Sequence, residues 1–248
     1  MLNSFIWGLI ATSSLVLGGF IGAWFNIGRR TLGLIMAFGA GVLISAVAYE
    51  LVYEAVKLGK GSGMAGFGIL TGAFTFFFAD LLIGKIGANR RKAISGVHES
   101  NLAVPIVLAT ILDGIPESIV IGLGLLGEGK VSLAMLAAVF ISNLPEAIAG
   151  TSGMVAGAWS RKKILLLWLI IAIVCSFASV AGYSLFNNAS PLTLSFIQAF
   201  AGGAILVMLA NTMFPEAYEH GGKFAGIFTV LGFSSAVFIV LLEHPTNL

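Results

Sequence analysis

Two hexapeptides combine residue types that rarely share an apolar segment: DGIPES at 113–118 and SNLPEA at 142–147. Each sets a Pro-Glu pair in the middle of a hydrophobic run long enough to span a bilayer. A carboxylate at membrane depth is costly, and it normally faces a bundle interior or a water-filled path. The proline beside it has no N–H, so the carbonyl four residues earlier loses its helical partner. Those carbonyls belong to Leu112 and Ile141. Asp113 and Glu117 are four residues apart and stack on one helix face. Ser142 and Asn143 precede Glu146 by four and three residues and share roughly its face. The set offers three carboxylates, an amide oxygen, a hydroxyl and two freed carbonyls, oxygen donors that suit a divalent cation. A purely structural reading has protonated carboxyls tying helices together and prolines that bend them.

The elements that position these groups follow from composition. Of 248 residues, 58% are hydrophobic and 10% charged, with a mean hydropathy of +1.02. Soluble domains carry about 25% charged residues, so the pattern predicts an integral membrane protein in contact with the lipid bilayer. The 32 glycines suit closely packed transmembrane helices. A net charge of +2, with its basic residues in short loops, argues against nucleic acid as a partner. The single cysteine, Cys175, excludes an internal disulfide and a thiolate-cluster metal site, and reads as a small apolar helix residue.

A helical span needs about 20 mostly apolar residues, and eight such runs occur. They cover 4–26, 32–56, 64–84, 100–126, 131–157, 162–185, 194–217 and 222–243, within a single polytopic membrane domain over 1–248. The first run lacks a basic leader and a convincing cleavage site, so it reads as a span and not a signal peptide. Ten of the thirteen Lys and Arg residues fall in the loops after spans 1, 3, 5 and 7; only Lys57, Lys60 and Lys130 lie on the other side. That bias places both termini outside the cytoplasm, in a multi-pass protein of the cell membrane. The longest polar loop, 85–99, carries one histidine, His98, and so is not a His-rich metal-buffering tract.

Span 2 repeats in span 7 at an offset of 162, through Ala37/Ala199, Phe38/Phe200, Gly41/Gly203, Ala48/Ala210, Glu54/Glu216 and Ala55/Ala217. Spans 3 and 8 agree more weakly at an offset of 160, through Gly66/Gly226, Gly72/Gly232 and Phe78/Phe238. Spans five apart cross in opposite directions, so the repeat is inverted. Spans 4 and 5 carry the two Pro-Glu motifs at an offset of 29. The expected fold class is therefore an all-α membrane protein of eight transmembrane helices in a 3+2+3 inverted-repeat bundle, an organisation used by transporters with a mid-membrane site.

Other polar residues allow two readings each. Glu50 and Glu54 on span 2, and Glu216, Glu219 and His220 on span 7, read either as relays for cation or proton or as interfacial residues that snorkel to water. Asn211 reads as an accessory ligand or an interhelical hydrogen-bonding group. Asp80 reads as a local cap or pair, while Glu243 and His244 read as solvated.

On these residues the chain resembles the ZIP (Zrt/Irt-like) family of metal-ion transporters, in a histidine-poor variant. The likeness covers the whole length, through the eight spans, the termini, the loop between spans 3 and 4, and the repeat. The family's span 4 reads His-Asn-x-Pro-Glu-Gly and its span 5 His/Gln-x-x-Pro-Glu-Gly, while spans 2 and 7 typically end in Leu-Pro-Glu-Ala. Here those ends are VYEA at 52–55 and FPEA at 214–217. Pro116, Glu117, Pro145 and Glu146 match outright, so the resemblance implies metal ligation by Glu117 and Glu146. Asp113 stands at the span-4 histidine, Gly114 at its asparagine and Ser118 at the final glycine; Ser142 and Ala147 depart likewise on span 5. The implied ligand set is Asp113, Glu117, Ser142, Asn143 and Glu146. Some members add an acidic span-6 ligand, where this chain offers only Cys175, Ser176 and Ser179.

The resemblance implies a non-enzymatic permease that carries zinc, iron, manganese or a similar divalent ion toward the cytoplasm, with no prosthetic group, and a homodimer as a candidate assembly. An oxygen-only site favours manganese, iron(II), magnesium or calcium over zinc, which prefers nitrogen and sulfur. Two other classes compete. A proton- or sodium-coupled carrier of an organic solute would want cationic or aromatic groups at the site, and no Lys or Arg lies mid-span. A non-transporting scaffold would be marked by loss of the histidines. An intramembrane metalloprotease needs HExxH or a mid-span histidine, and neither occurs.

Overall fold

Three helices begin at serines whose hydroxyls satisfy the first free N–H groups. Ser132, Ser160 and Ser190 accept from the N–H of Met135, Lys163 and Thr193 respectively. The turn at 60–63 has left-handed backbone at Lys60, Gly61 and Gly63, so two glycines stand where a side chain would strain. The computed structural model describes residues 1–85, 103–126 and 131–243, with the side chains of 103–107 outside that description. The segment around Arg90, Arg91, Lys92 and His98 lies outside the described residues, as do Lys130 and His244.

The described residues form eight helices and no strand. These are α1 Leu2–Trp24, α2 Arg29–Gly59, α3 Met64–Lys85, α4 Ala103–Gly124, α5 Leu133–Ala156, α6 Arg161–Phe186, α7 Pro191–Gly221 and α8 Phe224–Glu243. Seven of them are long and apolar enough to cross a membrane, as expected of a multi-pass membrane protein.

Helices α2 and α7 each run 31 residues, three or four beyond each end of the apolar runs that announce them. Both widen into a π-helical turn, at Val47–Tyr53 and Leu209–Met213. The two segments start 162 residues apart, the offset of the sequence repeat. Proline is not their common cause, because Pro215 of α7 is matched by Tyr53 in α2.

Backbones approach closely at glycines. Helix α2 packs on α8, where Gly41 abuts the Thr229 carbonyl and Gly232 abuts the Phe38 carbonyl. Helix α7 packs on α3, where Gly203 abuts the Ile69 carbonyl and Gly72 the Phe200 carbonyl. A Cβ at any of the four would collide with a main-chain oxygen. Around α1, contact is made with α5 and α6, while α4 lies along α6. Polar groups tie further helix pairs: between α6 and α5, Trp168 Nε1 donates to Thr151 Oγ1 at 2.7 Å, and between α7 and α2, Ser195 Oγ donates to the Ala55 carbonyl at 2.6 Å. Arg161 donates to the Ala23 carbonyl at 3.1 Å, with its guanidinium over the Trp24 ring.

Glu243 is not simply solvated. Its carboxylate accepts from Leu133 N at 2.6 Å, Ala134 N at 3.2 Å and Ser132 Oγ at 3.3 Å, and so caps α5 from the end of α8. An anion on a helix N-terminus meets both free N–H groups and the positive end of the dipole. Glu243→Ala is expected to lower stability by about 1–2 kcal/mol, the usual cost of a lost cap. Thermal melting in detergent reads this, with Glu243→Gln falling between.

Candidate functional site

Helices α4 and α5 run antiparallel and touch, each carrying its Pro-Glu motif near mid-length. Both helices continue through their prolines, Pro116 and Pro145. All five sequence-predicted site residues are withdrawn from the surface: Asp113 is 2% exposed, Glu117 1%, Ser142 1%, Asn143 2% and Glu146 5%. Ser118, the residue after Glu117, is fully buried as well.

The local geometry sets what each group can offer. Ser142 Oγ donates to the Val139 carbonyl at 3.1 Å, which spends its proton and leaves oxygen lone pairs free to accept. Asn143 Nδ2 is buried without an acceptor. Turning the amide over would place its oxygen at that position, the orientation a cation requires. The carbonyl of Ile141, freed by Pro145, faces α2 at Gly39, where a Cβ would stand 3.2 Å from the oxygen. Among the described residues, no three His, Cys, Asp or Glu side chains converge closely enough to ligate one ion. The structure thus buries all five groups on two adjoining helices without gathering their carboxyls into a cage among the described residues.

Sequence reasoning set Cys175 aside as a core residue, and it is indeed fully buried beside Ala147 and Trp168. Its surroundings add something, however. A Cβ at Gly114 would stand 2.8 Å from Cys175 Sγ, and the thiol neighbours Glu117 and Ser118. One sulfur therefore lies alongside the oxygen-rich set. The family resemblance pointed to span 6 at Cys175, and the packing of α6 against α4 supplies the contact, which no spacing within the chain signals.

The flanking acidic residues separate. Glu54 forms an exposed ion pair with Lys57 at 3.3 Å. Glu50, one turn earlier in the π-helical segment, is half-buried and lines a cavity shared with α4, α5 and α7. Glu216 is half-buried towards the far end of α7, and Glu219 is exposed. Asn211 is exposed and joins no buried cluster.

Compared with protein-family models and with curated proteins, the chain matches none.

Proposed function

We propose that this protein is a ZIP-like permease for a divalent cation such as manganese, iron or zinc. The ion moves toward the cytoplasm by alternating access through Asp113, Glu117, Ser142, Asn143 and Glu146. One observation carries the reading: three carboxyl groups, each at most 5% exposed, sit mid-length on adjoining helices that contain no Lys or Arg. Taking an ionised carboxylate out of water costs several kcal/mol unless compensated. Neither helix carries a Lys or Arg of its own, and a proton or a bound cation is a compensation that such buried carboxyls accept.

The helix packing supports a 3+2+3 inverted repeat around that centre. Exchanging α1 with α6, α2 with α7, α3 with α8 and α4 with α5 turns the α2–α8 seam into the α7–α3 seam, and the α4–α6 seam into α5–α1. The glycine contacts obey the same exchange, since Gly41 with Thr229 becomes Gly203 with Ile69. The paired π-helical turns obey it too. In this reading both termini lie on the non-cytoplasmic side of the cell membrane, as the basic loops indicate.

Purified protein in proteoliposomes tests the proposal through competition among Mn²⁺, Fe²⁺, Zn²⁺ and Mg²⁺ for uptake. Saturable uptake of at least one ion is expected. Folded protein that neither binds nor passes any of them is a scaffold, and the proposal fails. Asp113→His is expected to raise the preference for zinc over manganese about tenfold, by exchanging a hard oxygen for an imidazole nitrogen. An unchanged ratio would remove position 113 from the ligand set.

A further inference from the structure

Helices α2 and α7 each continue past their π-helical turns as a short arm, Glu54–Gly59 on α2 and Phe214–Gly221 on α7. Each arm rests on the start of the other helix. Gly59 lies against Ser195, where a Cβ would stand 2.8 Å from the hydroxyl oxygen. Gly221 lies against Gly33, whose Cβ would stand 2.7 Å from the Gly221 nitrogen. The repeat offset of 162 turns one contact into the other, since Gly59 becomes Gly221 and Gly33 becomes Ser195. Both arms end in left-handed backbone, at Lys60 and Gly222, again 162 residues apart. The two ends of the α2–α7 pair are thus equivalent in backbone.

They differ in one side chain. Ser195 is fully buried, and its Oγ donates to the Ala55 carbonyl at 2.6 Å, which ties the first arm to α7. The equivalent carbonyl belongs to Ala217, and the residue in the place of Ser195 is Gly33, which has no side chain to donate. At this position one arm is tied as well as packed, and the other is packed alone. Directly inward of the tied arm lies a space of about 40 Å³ whose described lining includes Leu51 and Gln198, about one turn from Ala55 and Ser195, and Ile121, one turn from Glu117. The Ser195 bond therefore stands between the buried carboxyls and the end of the bundle where α1 begins.

We infer that the two arms are paired gates that swing on the π-helical turns, and that the Ser195 hydroxyl latches the outer gate while the inner one, seated on Gly33, lacks that latch. The inference rests on the permease reading and adds to it the parts that move. Helices kink at π-helical turns, which are rare and cluster at functional sites, and a hinge needs only a few residues that absorb backbone rotation. Alternating access asks for one gate at each end, and the repeat supplies two of the same build. The missing hydroxyl makes them unequal, so the inner gate opens more readily than the outer.

Thiol labelling reads each end separately. In a Cys175→Ala background, Leu51→Cys and Met213→Cys place one thiol just inward of each arm, at buried positions 162 residues apart. The rate of reaction with a charged methanethiosulfonate is followed by mass spectrometry on purified protein in detergent. Ser195→Ala is expected to speed labelling at Leu51→Cys about tenfold, the weight of one buried hydrogen bond, and to leave Met213→Cys near its parental rate. Ser195→Thr keeps the hydroxyl and should keep the slow rate. Gly33→Ala, whose methyl pushes Gly221 aside, should speed Met213→Cys alone. A parental rate at Leu51→Cys in the Ser195→Ala protein, or an equal rise at both thiols, overturns the latch. Should Gly33→Ala fold poorly, the Ser195→Ala and Ser195→Thr pair decides. Labelling needs no transport, so a parent that carries no ion sinks the permease reading and leaves the latch to be judged by these rates. Unchanged rates beside intact Mn²⁺ uptake sink the latch and leave the permease standing.

Discussion

Glutamine at Glu117 or Glu146 is expected to reduce divalent-cation uptake at least about 100-fold, with melting temperature close to the parent's. Glutamine nearly preserves the volume of glutamate, so the packing around residues that are 1% and 5% exposed survives. The negative charge is lost. Hydrogen bonds and contacts to a charged group contribute about 1.5–3 kcal/mol each, and every 1.4 kcal/mol is tenfold in affinity. A ligand carboxylate that contacts the ion directly thus accounts for one to two decades, and further loss follows because the remaining carboxylates no longer balance a double charge. Stability moves the other way if at all, since a neutral side chain is easier to bury than an ionised one. Uptake and thermal melting measured on the same preparations check both halves. Near-parental uptake in both single variants would sink the site assignment.

The second large effect concerns the glycine seams. Gly41→Val, Gly203→Val, Gly72→Val and Gly232→Val are each expected to destabilise the protein by more than about 3 kcal/mol, the upper end of ordinary overpacking. At all four positions the new Cβ meets a carbonyl oxygen of the facing helix, and main chain cannot swing aside as a flexible side chain does. The control is internal. Gly66 and Gly226 belong to the same repeat, yet a Cβ at either meets nothing within 4 Å. Gly66→Ala and Gly226→Ala should therefore melt at or above the parental temperature, because alanine is the better helix former. Equal damage at the open and the closed positions would show that the close contacts are not what holds the bundle.

These glycines also mark where reading the chain from residue types reaches its end. Gly41/Gly203, Gly72/Gly232 and Gly66/Gly226 look alike as repeat-related pairs, but only the first two lie in seams. Identity between repeats says that two positions are equivalent, and says nothing about what faces them. The apolar runs were legible because a bilayer sets their length; the extra residues of α2 and α7 were not, because their ends are polar enough to resemble loops. No residue pattern signalled the π-helical turns, where valine, alanine, leucine and tyrosine are equally at home in an α-helix. In the candidate site, Asp113, Glu117, Ser142, Asn143 and Glu146 could be picked out because each helix carries its own pattern at a spacing of three or four. Glu243 could not, since its partners at 132–134 lie more than a hundred residues away. The contact between Cys175 and Gly114 was hidden for the same reason, as it joins two different helices.

The disparity in helix length has a consequence for the surrounding lipid. At 1.5 Å per residue, α2 and α7 would extend about 46 Å, well beyond a hydrocarbon slab of about 30 Å. The two helices most exposed at the perimeter, α3 and α8, are 22 and 20 residues long, or about 33 and 30 Å. The rim presented to lipid therefore matches an ordinary bilayer, while the long helices behind it carry their ends, Glu54 and Glu219 among them, out towards the headgroups. A thinner or thicker membrane acts first on the short outer helices, and reaches the interior only through the glycine seams that bind α8 to α2 and α3 to α7.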